Sequence, residues 1–342
     1  RSSAASDVYK RQFLRRKSKI LFICFFVLLT CTACSTPRGK DGKVKVDQII
    51  SSETIQVKRK DVSIDSVSDP KLKKQYQKLD PNDTITIKPT TFSQAFSTGW
   101  FDGLIVWPMA MLINKISAAT DAGIGIIITT LLVQMIVFAL TGKSQMSSQR
   151  MQEIQPEITK IQNKYKGKTD QESQMKMYQE TQALYAKYDI HPFGSMLVMF
   201  LQLPIMMGMY YATMRAYEVL VGYAFGMRLS TTPMYAIQHL MIGGIIVYAL
   251  MVVSQLVSTM LPQWLKKWQD KKDNVKKHSY RESEKQNDPM NMNMYMYMMV
   301  IIFAFMYLSW PLAMSYYWMI CSIIRIVQQY VMHRVMHRAE AK

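Results

Sequence analysis

Apolar residues along this chain occur in long blocks that are separated by polar and basic stretches. A helix needs roughly 18 or more apolar residues to cross a hydrocarbon core of about 30 Å. Five blocks reach or approach this length. The first is short, but Gly123, Gly125 and a tilt give it latitude, and Pro311 marks a tight turn between the last two. We predict transmembrane helices at Ile124–Leu140, Phe193–Met214, Tyr235–Met260, Met294–Trp310 and Leu312–Tyr330.

The N-terminal region has the pattern of an export signal. Residues 1–12 match neither a signal nor a domain, and we interpret them as non-native. A basic stretch at 13–19 then precedes an apolar run at 20–29 that is too short to span a membrane stably. We predict a signal peptide over residues 13–33.

The end of this signal is similar to the lipobox of bacterial lipoproteins. Thr32 and Ala33 stand directly before Cys34, although Cys31 occupies a position where Leu is usual. The resemblance implies that Cys34 is diacylated and becomes the mature N-terminus, with palmitate as a typical acyl group. A plain secretory signal is the alternative.

Two polar regions precede the first predicted span. Residues 34–95 are Lys-rich and poor in large apolar side chains, which predicts an extracytoplasmic tether with too little to bury. Residues 96–118 mix aromatic and aliphatic residues with Asp102, Pro108, Asn114 and Lys115. This mixture favours an amphipathic helix lying in the outer membrane interface over a span.

The distribution of basic residues predicts the orientation. The chain has 42 Lys and Arg against 24 Asp and Glu, a net charge of +18. The loops Lys143–Asp189 and Leu261–Met290 carry eight basic residues each, whereas the loop between spans two and three carries only Arg215 and Arg228. By the positive-inside rule the two long loops and the basic tail, 336–342, are cytoplasmic and the N-terminus is outside.

The first long loop, 143–190, has the pattern of a helical hairpin. Ile154, Ile158, Ile161 and Tyr165 recur on one helical stripe, and the segment Lys166–Asp170 supplies a break. A second helix is predicted to end near Tyr188. The stripe indicates that something is buried, either within the hairpin or against a partner such as a nascent chain or ribosome.

Several polar side chains fall inside the predicted spans, where each needs a partner, a wet cavity or a task. Trp318, Ser322, Arg325 and Gln329 recur at i, i+4, i+7 and i+11 on the fifth span and therefore share a face. Arg325 either faces water inside the bundle or extends its side chain to the cytoplasmic interface. The polar residues on four of the five spans favour a shared hydrophilic groove.

Linked motifs in this order resemble the YidC/Oxa/Alb family of membrane-protein insertases. The matching segments are Gln149–Glu157, Asn163–Tyr165, Ala183–Tyr185, His191–Gly194, Gln202–Ile205, Trp310-Pro311, Tyr316–Trp318 and Gln328–Tyr330. The resemblance covers roughly residues 96–335, and a lipoprotein leader with five spans is similar to the Gram-positive form. It implies an all-α membrane protein whose core, 119–335, encloses a hydrophilic groove that is open to the cytoplasm.

The groove that the resemblance implies departs from the family at one position. A family Thr-x-x-x-Arg pattern on the first span falls on Thr130 and Gln134, so the Arg is missing. Our hypothesis is that Arg325, at similar depth on a span of the same direction, replaces the lost charge. The alternative is a specialised or accessory paralogue that works without it. The expected groove residues are Thr130, Gln134, Gln202, Gln255, Tyr317, Trp318, Ser322 and Arg325.

The resemblance also implies the function and partners. We expect insertion and folding of nascent membrane proteins in the bacterial cell membrane, alone or with the Sec translocon, with membrane lipids and the ribosome as further partners. A secondary transporter is the weaker alternative, because no internal repeat is found and five spans do not halve. Neither a metal or cofactor site, nor a catalytic acid–base pair, nor a DNA-binding motif is recognisable in the sequence.

Overall fold

The computed structural model describes residues 37–39, 43–65, 67, 70–168, 170–190, 192–224, 226–272 and 292–340. The predicted signal sequence, Cys34 and the part of the predicted loop 261–290 that follows Lys272 lie outside these residues. The chain divides into two compact units, Arg1–Ile49 with Glu53–Pro108, and Ile50–Ser52 with Met109–Lys342.

The first unit contains two small two-stranded sheets. Its regular elements are β1 (Val44–Lys45), β2 (Ile55–Lys58), β3 (Val62–Ser63), helix α1 (Pro70–Gln77), β4 (Thr84–Ile87) and helix α2 (Phe92–Thr98), with 3-10 turns at Val46–Gln48 and Arg59–Asp61. Strand β1 pairs with β3 in parallel, and β2 pairs with β4 antiparallel, with Ile55 opposite Ile87 and Val57 opposite Ile85.

This folded unit differs from the tether that the composition predicts for residues 34–95. Ile55 and Val57 are buried while Gln56 and Lys58 are exposed, which is the alternation of a half-buried strand. Val44, Val62 and Ile85 are also buried. The prediction of too little to bury was wrong, because the few aliphatic residues stand at positions where strand geometry gathers them on one side.

The segment predicted as an interfacial helix, 96–118, is not one continuous α-helix. Helix α2 begins with a capping box between Thr91 and Gln94 and ends at Thr98. A π-helical turn then spans Asp102–Val106 and leads into α3 (Trp107–Ala119). Asn114 is buried, and its amide donates to the Ile50 carbonyl at 2.8 Å and accepts from the Glu218 backbone at 3.1 Å.

The second unit is a bundle of long helices with a helical hairpin. Its further elements are α4 (Ala122–Glu153), α5 (Gln155–Lys164), α6 (Gln171–Lys187), α7 (Pro192–Arg215), α8 (Tyr217–Val221), the short strands β5 (Tyr223–Ala224) and β6 (Met227–Arg228), α9 (Pro233–Gln238), α10 (Ile242–Lys272), α11 (Met292–Tyr307) and α12 (Leu312–Glu340). Helix α12 packs against α4, α7 and α10, and α4 also packs against α7 and α10.

The helices begin and end somewhat differently from the predicted spans. The third predicted span is interrupted after Gln238 by a turn in which Leu240 has a φ of 50°, so the long helix α10 begins only at Ile242. The first continues without a break to Glu153, well past the predicted end at Leu140. Among the described helices, two are long and apolar enough to cross a membrane, judged by length and composition: Ala122–Glu153 and the Ile242–Gln269 part of α10. Tyr297–Tyr307 is a shorter apolar helix.

The predicted hairpin is present, with its break at the predicted place between α5 and α6. It begins at Gln155, twelve residues later than the predicted boundary at 143, because α4 extends through the polar stretch in between. Ile154 and Ile158 are buried with Ile190, and the second helix contributes Leu184 and Tyr185. The buried stripe therefore packs within the hairpin.

An ion pair holds the far end of the hairpin. The Glu180 carboxylate accepts from Lys164 Nζ at 2.5 Å and from the Tyr165 hydroxyl at 2.8 Å. The hydrogen bond from Lys164 lowers the pKa of Glu180 and raises that of Lys164. Both groups are therefore charged near neutral pH.

Candidate functional site

Arg325 is the centre of a polar cluster inside the helix bundle. Its Nη2 donates to Gln255 Oε1 of α10 at 3.1 Å, and the Ser322 hydroxyl donates to the same oxygen at 2.7 Å. The guanidinium also lies 5.9 Å from the centre of the Trp318 ring, within cation–π range. The structure thus brings together four of the eight predicted groove residues.

Among the described residues, only neutral groups contact the Arg325 guanidinium. Among the described residues, no carboxylate forms an ion pair with Arg325, and its contacts are the Gln255 amide, the Ser322 hydroxyl, the Cys321 carbonyl and the Trp318 ring. An arginine among helices without a counter-ion keeps its full positive potential. The site can therefore attract an anionic group.

Gln134 of α4 contacts α12 at Cys321, which precedes Arg325 by one helical turn. Its Nε2 donates to Cys321 Sγ at 3.3 Å, and Arg325 Nε donates to the Cys321 carbonyl at 3.4 Å. Cys321 thus contacts both the position where the family Arg is missing and the residue expected to replace it. That the two side chains lie at a similar depth in the membrane stays a prediction.

Two other predicted groove residues are enclosed by protein. Thr130 and Tyr317 are fully buried. Thr130 Oγ1 donates to the Ile126 carbonyl of its own helix at 2.7 Å, and the Tyr317 hydroxyl accepts from Gln202 Nε2 at 3.3 Å. These side chains form the packed wall behind the cluster and not an open surface, which differs from the expectation that all eight line a groove.

A cleft between α4 and α12 opens beside Gln134. Its volume is about 260 Å³, and it is lined by Leu131, Gln134, Met135, Phe138, Ile324 and Gln328. Apart from Gln134, none of these residues was predicted at the site. Gln328 was the available signal, since it is a polar residue in the fifth predicted span three positions after Arg325.

Two buried polar atoms near this level of the bundle have no hydrogen-bond partner among the described residues. They are Thr129 Oγ1, on the same turn as Thr130, and Trp318 Nε1. Leaving such a group dry costs about 1–3 kcal/mol, so water is its expected partner. Within the same described residues, no group of His, Cys, Asp and Glu is arranged to hold a metal ion.

Comparison with known proteins places this helical bundle in a class of membrane proteins. The family model described as "60Kd inner membrane protein" matches residues 112–340, which include every helix from α4 to α12. The chain belongs to this family. The match covers about two thirds of the chain and contains all the residues of the polar cluster.

Individual relatives carry more specific names. A protein named "Membrane protein insertase YidC 1" from Streptococcus pyogenes is 39% identical over 119 residues, covering 35% of this chain and 42% of that one. "Membrane protein insertase MisCA" from Bacillus subtilis is 35% identical over 127 residues, covering 36% and 48%. The chain thus aligns with less than half the length of these relatives.

One solved structure is also similar to this chain. It is described as an active YidC insertase crystal structure with the first transmembrane domain resolved. It has a TM-score of 0.45 and 17% identity, and the match covers 72% of this chain and 58% of that one.

Proposed function

We propose that this protein inserts and folds nascent membrane proteins in the bacterial cell membrane and catalyses no covalent reaction. Relatives in its family are named membrane protein insertases. The proposed partners are nascent membrane proteins and lipids, with the ribosome and the Sec translocon as delivery partners. The observation that carries the proposal is the uncompensated charge of Arg325 inside the helix bundle.

The physical task is to move a short polar segment past the hydrocarbon core. Each polar group buried without a partner costs several kcal/mol in an apolar medium. A water-containing site lined by Gln255, Ser322 and Arg325 shortens the dry path. The partnerless Thr129 Oγ1 and Trp318 Nε1 support water at this level.

The proposed topology has five membrane spans around this cluster, formed by α4, α7, α10, α11 and α12. The basic residues of the hairpin and of the α10 end, including Lys271 and Lys272, support a cytoplasmic position for both. The N-terminus is then outside, with Cys34 as the lipid anchor. The polar interior faces the cytoplasm, from which the substrate enters.

In this proposal Arg325 supplies the positive charge that the family has at the position of Gln134. The two side chains flank the same turn of α12 through Cys321, so a substrate carboxylate drawn to either position reaches nearly the same place. The guanidinium contacts only neutral acceptors and an aromatic ring, and an arriving acidic side chain therefore meets no competing carboxylate among the described residues.

The test uses a strain depleted of its own insertase and a single-span reporter whose outward-going segment carries Asp residues. We expect Arg325→Ala to lower insertion about tenfold, the factor for loss of one charge-assisted hydrogen bond. A second reporter with Asn in place of Asp should be insensitive, because the charge has nothing to attract. Adding Gln134→Arg to Arg325→Ala should restore insertion of the acidic reporter.

The matched control is Arg334→Ala, which removes a charge from the exposed part of the same helix. It should leave both reporters unchanged. If Arg325→Ala inserts the acidic reporter as well as the native protein does, the relocated charge has no role.

A further inference from the structure

Polar contacts tie three helices together at the end of the bundle from which the hairpin leaves. Gln149 and Glu153 belong to the last turns of α4, Lys266 to α10, and Gln329 and His333 to α12. We call these five residues the clasp. Among the described residues, none of the hydrogen bonds that define the clasp involves the side chain of Arg325 or of another predicted groove residue.

The α4 and α12 sides of the clasp form two rungs. Gln149 Nε2 donates to the Gln329 carbonyl at 3.0 Å, and one turn further His333 Nδ1 lies 3.3 Å from Glu153 Oε1. The partners advance by four residues on both helices, as expected when two helices run in the same direction. Two such contacts, one helical turn apart, fix the position of α4 along α12 as well as the distance between the two helices.

Burial makes the second rung stronger than a surface contact. The His333 side chain is only 4% exposed and that of Glu153 only 20%. A hydrogen bond to a charged group in such surroundings contributes more than an exposed pair, and removing one partner leaves the other buried and unsatisfied. Lys266 Nζ of α10 donates to the Glu153 carbonyl and adds the third helix.

Glu153 is the residue at which the bundle becomes the hairpin. It is the last residue of α4, Ile154 then leaves the regular helix as the C-cap, and α5 begins at Gln155. The hairpin packs within itself through Ile154, Ile158 and Ile190. We propose that the clasp sets the direction in which the hairpin leaves the bundle, with Glu153 and His333 as positioning residues.

The proposal is tested by measuring the hairpin direction itself, without substrate, so it stands or falls apart from the insertase function. Spin-labelled amino acids are introduced at exposed Lys168, near the hairpin tip, and at exposed Val327 on α12 of the full chain in lipid nanodiscs. Pulsed electron–electron double resonance then gives the distribution of distances between the two spin labels. The native protein should give one narrow distance.

Removing either partner of the buried rung should release the hairpin. Glu153→Ala and His333→Ala should each raise the displaced population roughly fivefold, the factor for one buried hydrogen bond. The double variant should be no broader than either single one, because both remove the same contact. Glu153→Gln keeps an acceptor for His333 and should stay narrow, which a general loss of packing would not produce.

The matched controls are Glu172→Ala on the exposed hairpin surface and His239→Ala directly after α9, and both should give the native distribution. Should His333→Ala fail to accumulate in the membrane, His333→Phe takes its place, since its ring fills the space of the imidazole but offers no donor to Glu153. Native distance distributions in both Glu153→Ala and the His333 variant would overturn the proposal. Equal broadening in Glu153→Gln and Glu153→Ala would also overturn it.

Discussion

Helices α11 and α12 follow one another along the chain, separated only by residues 308–311, yet they have opposite relations to the bundle. Several apolar side chains of α11 are exposed, with Ile301 68% exposed and Phe305 74% exposed, and the helix contacts mainly α10. Helix α12 packs against α4, α7 and α10, and Tyr317 and Ser322 on it are fully buried.

The contrast reverses the usual rule for soluble proteins. Lipid is as apolar as a leucine side chain, so the most hydrophobic helix gains little from burial in protein. Polar side chains are expensive in lipid and are therefore turned inward. In the five-span topology that we propose, this is why α12, which carries Ser322, Arg325 and Gln329, lies at the centre while α11 lies at the edge.

The largest effect in this comparison is expected from one aromatic residue on each helix. Tyr317→Ala should destabilise the fold by about 3–5 kcal/mol, because it opens a cavity in a packed interior. Phe305→Ala should change stability by less than about 0.5 kcal/mol, since the ring is exposed on the outer face. Unfolding by denaturing detergent in mixed micelles measures both.

Equal destabilisation by the two substitutions would remove the distinction between an inner and an outer helix. Tyr317→Phe is the refinement, because it keeps the packing and removes only the hydroxyl that accepts from Gln202.

A smaller effect is expected at Gln255, the acceptor that α10 offers to α12. Gln255→Ala should lower the free energy of unfolding by about 1–3 kcal/mol, because Arg325 Nη2 and the Ser322 hydroxyl lose a buried acceptor. Gln255→Glu should recover this stability by pairing with the guanidinium, yet lower insertion of acidic reporters by neutralising the site. Exposed Gln238→Ala is the control and should match the native protein in both assays.

A Gln255→Glu protein that inserts acidic reporters normally would show that the free charge of Arg325 does not act on the substrate.

Much of the fold followed from local patterns. The hairpin break at Lys166–Asp170, the turn at Pro311 and the extent of α7 were predicted because turn residues and unbroken apolar blocks act within a few residues. The interruption before Ile242 was not predicted, since no turn residue in the sequence there marks the left-handed backbone conformation of Leu240. The strands near Ile55 depend on pairing with a segment some thirty residues away, which composition does not reveal.

The site was predicted to a different extent. The i, i+4, i+7 spacing placed Trp318, Ser322 and Arg325 on one face of α12, and the family resemblance added Gln255, which contacts them from α10. Spacing fixes which residues share a face but not how the helix is rotated against its neighbours. The burial of Thr130 and Tyr317, the contact of Gln134 with Cys321 and the rung between Glu153 and His333 therefore required the structure.

The most direct test asks whether water reaches the polar interior from the side where the hairpin lies. Single-cysteine variants Gln255→Cys, Trp318→Cys and Ile301→Cys are treated in inside-out membrane vesicles with a maleimide that does not cross the bilayer. The account predicts that Gln255→Cys and Trp318→Cys react and that Ile301→Cys, facing lipid on α11, does not. If the first two are as unreactive as the third, the cluster around Arg325 is dry, and no sheltered polar passage exists at this level of the bundle.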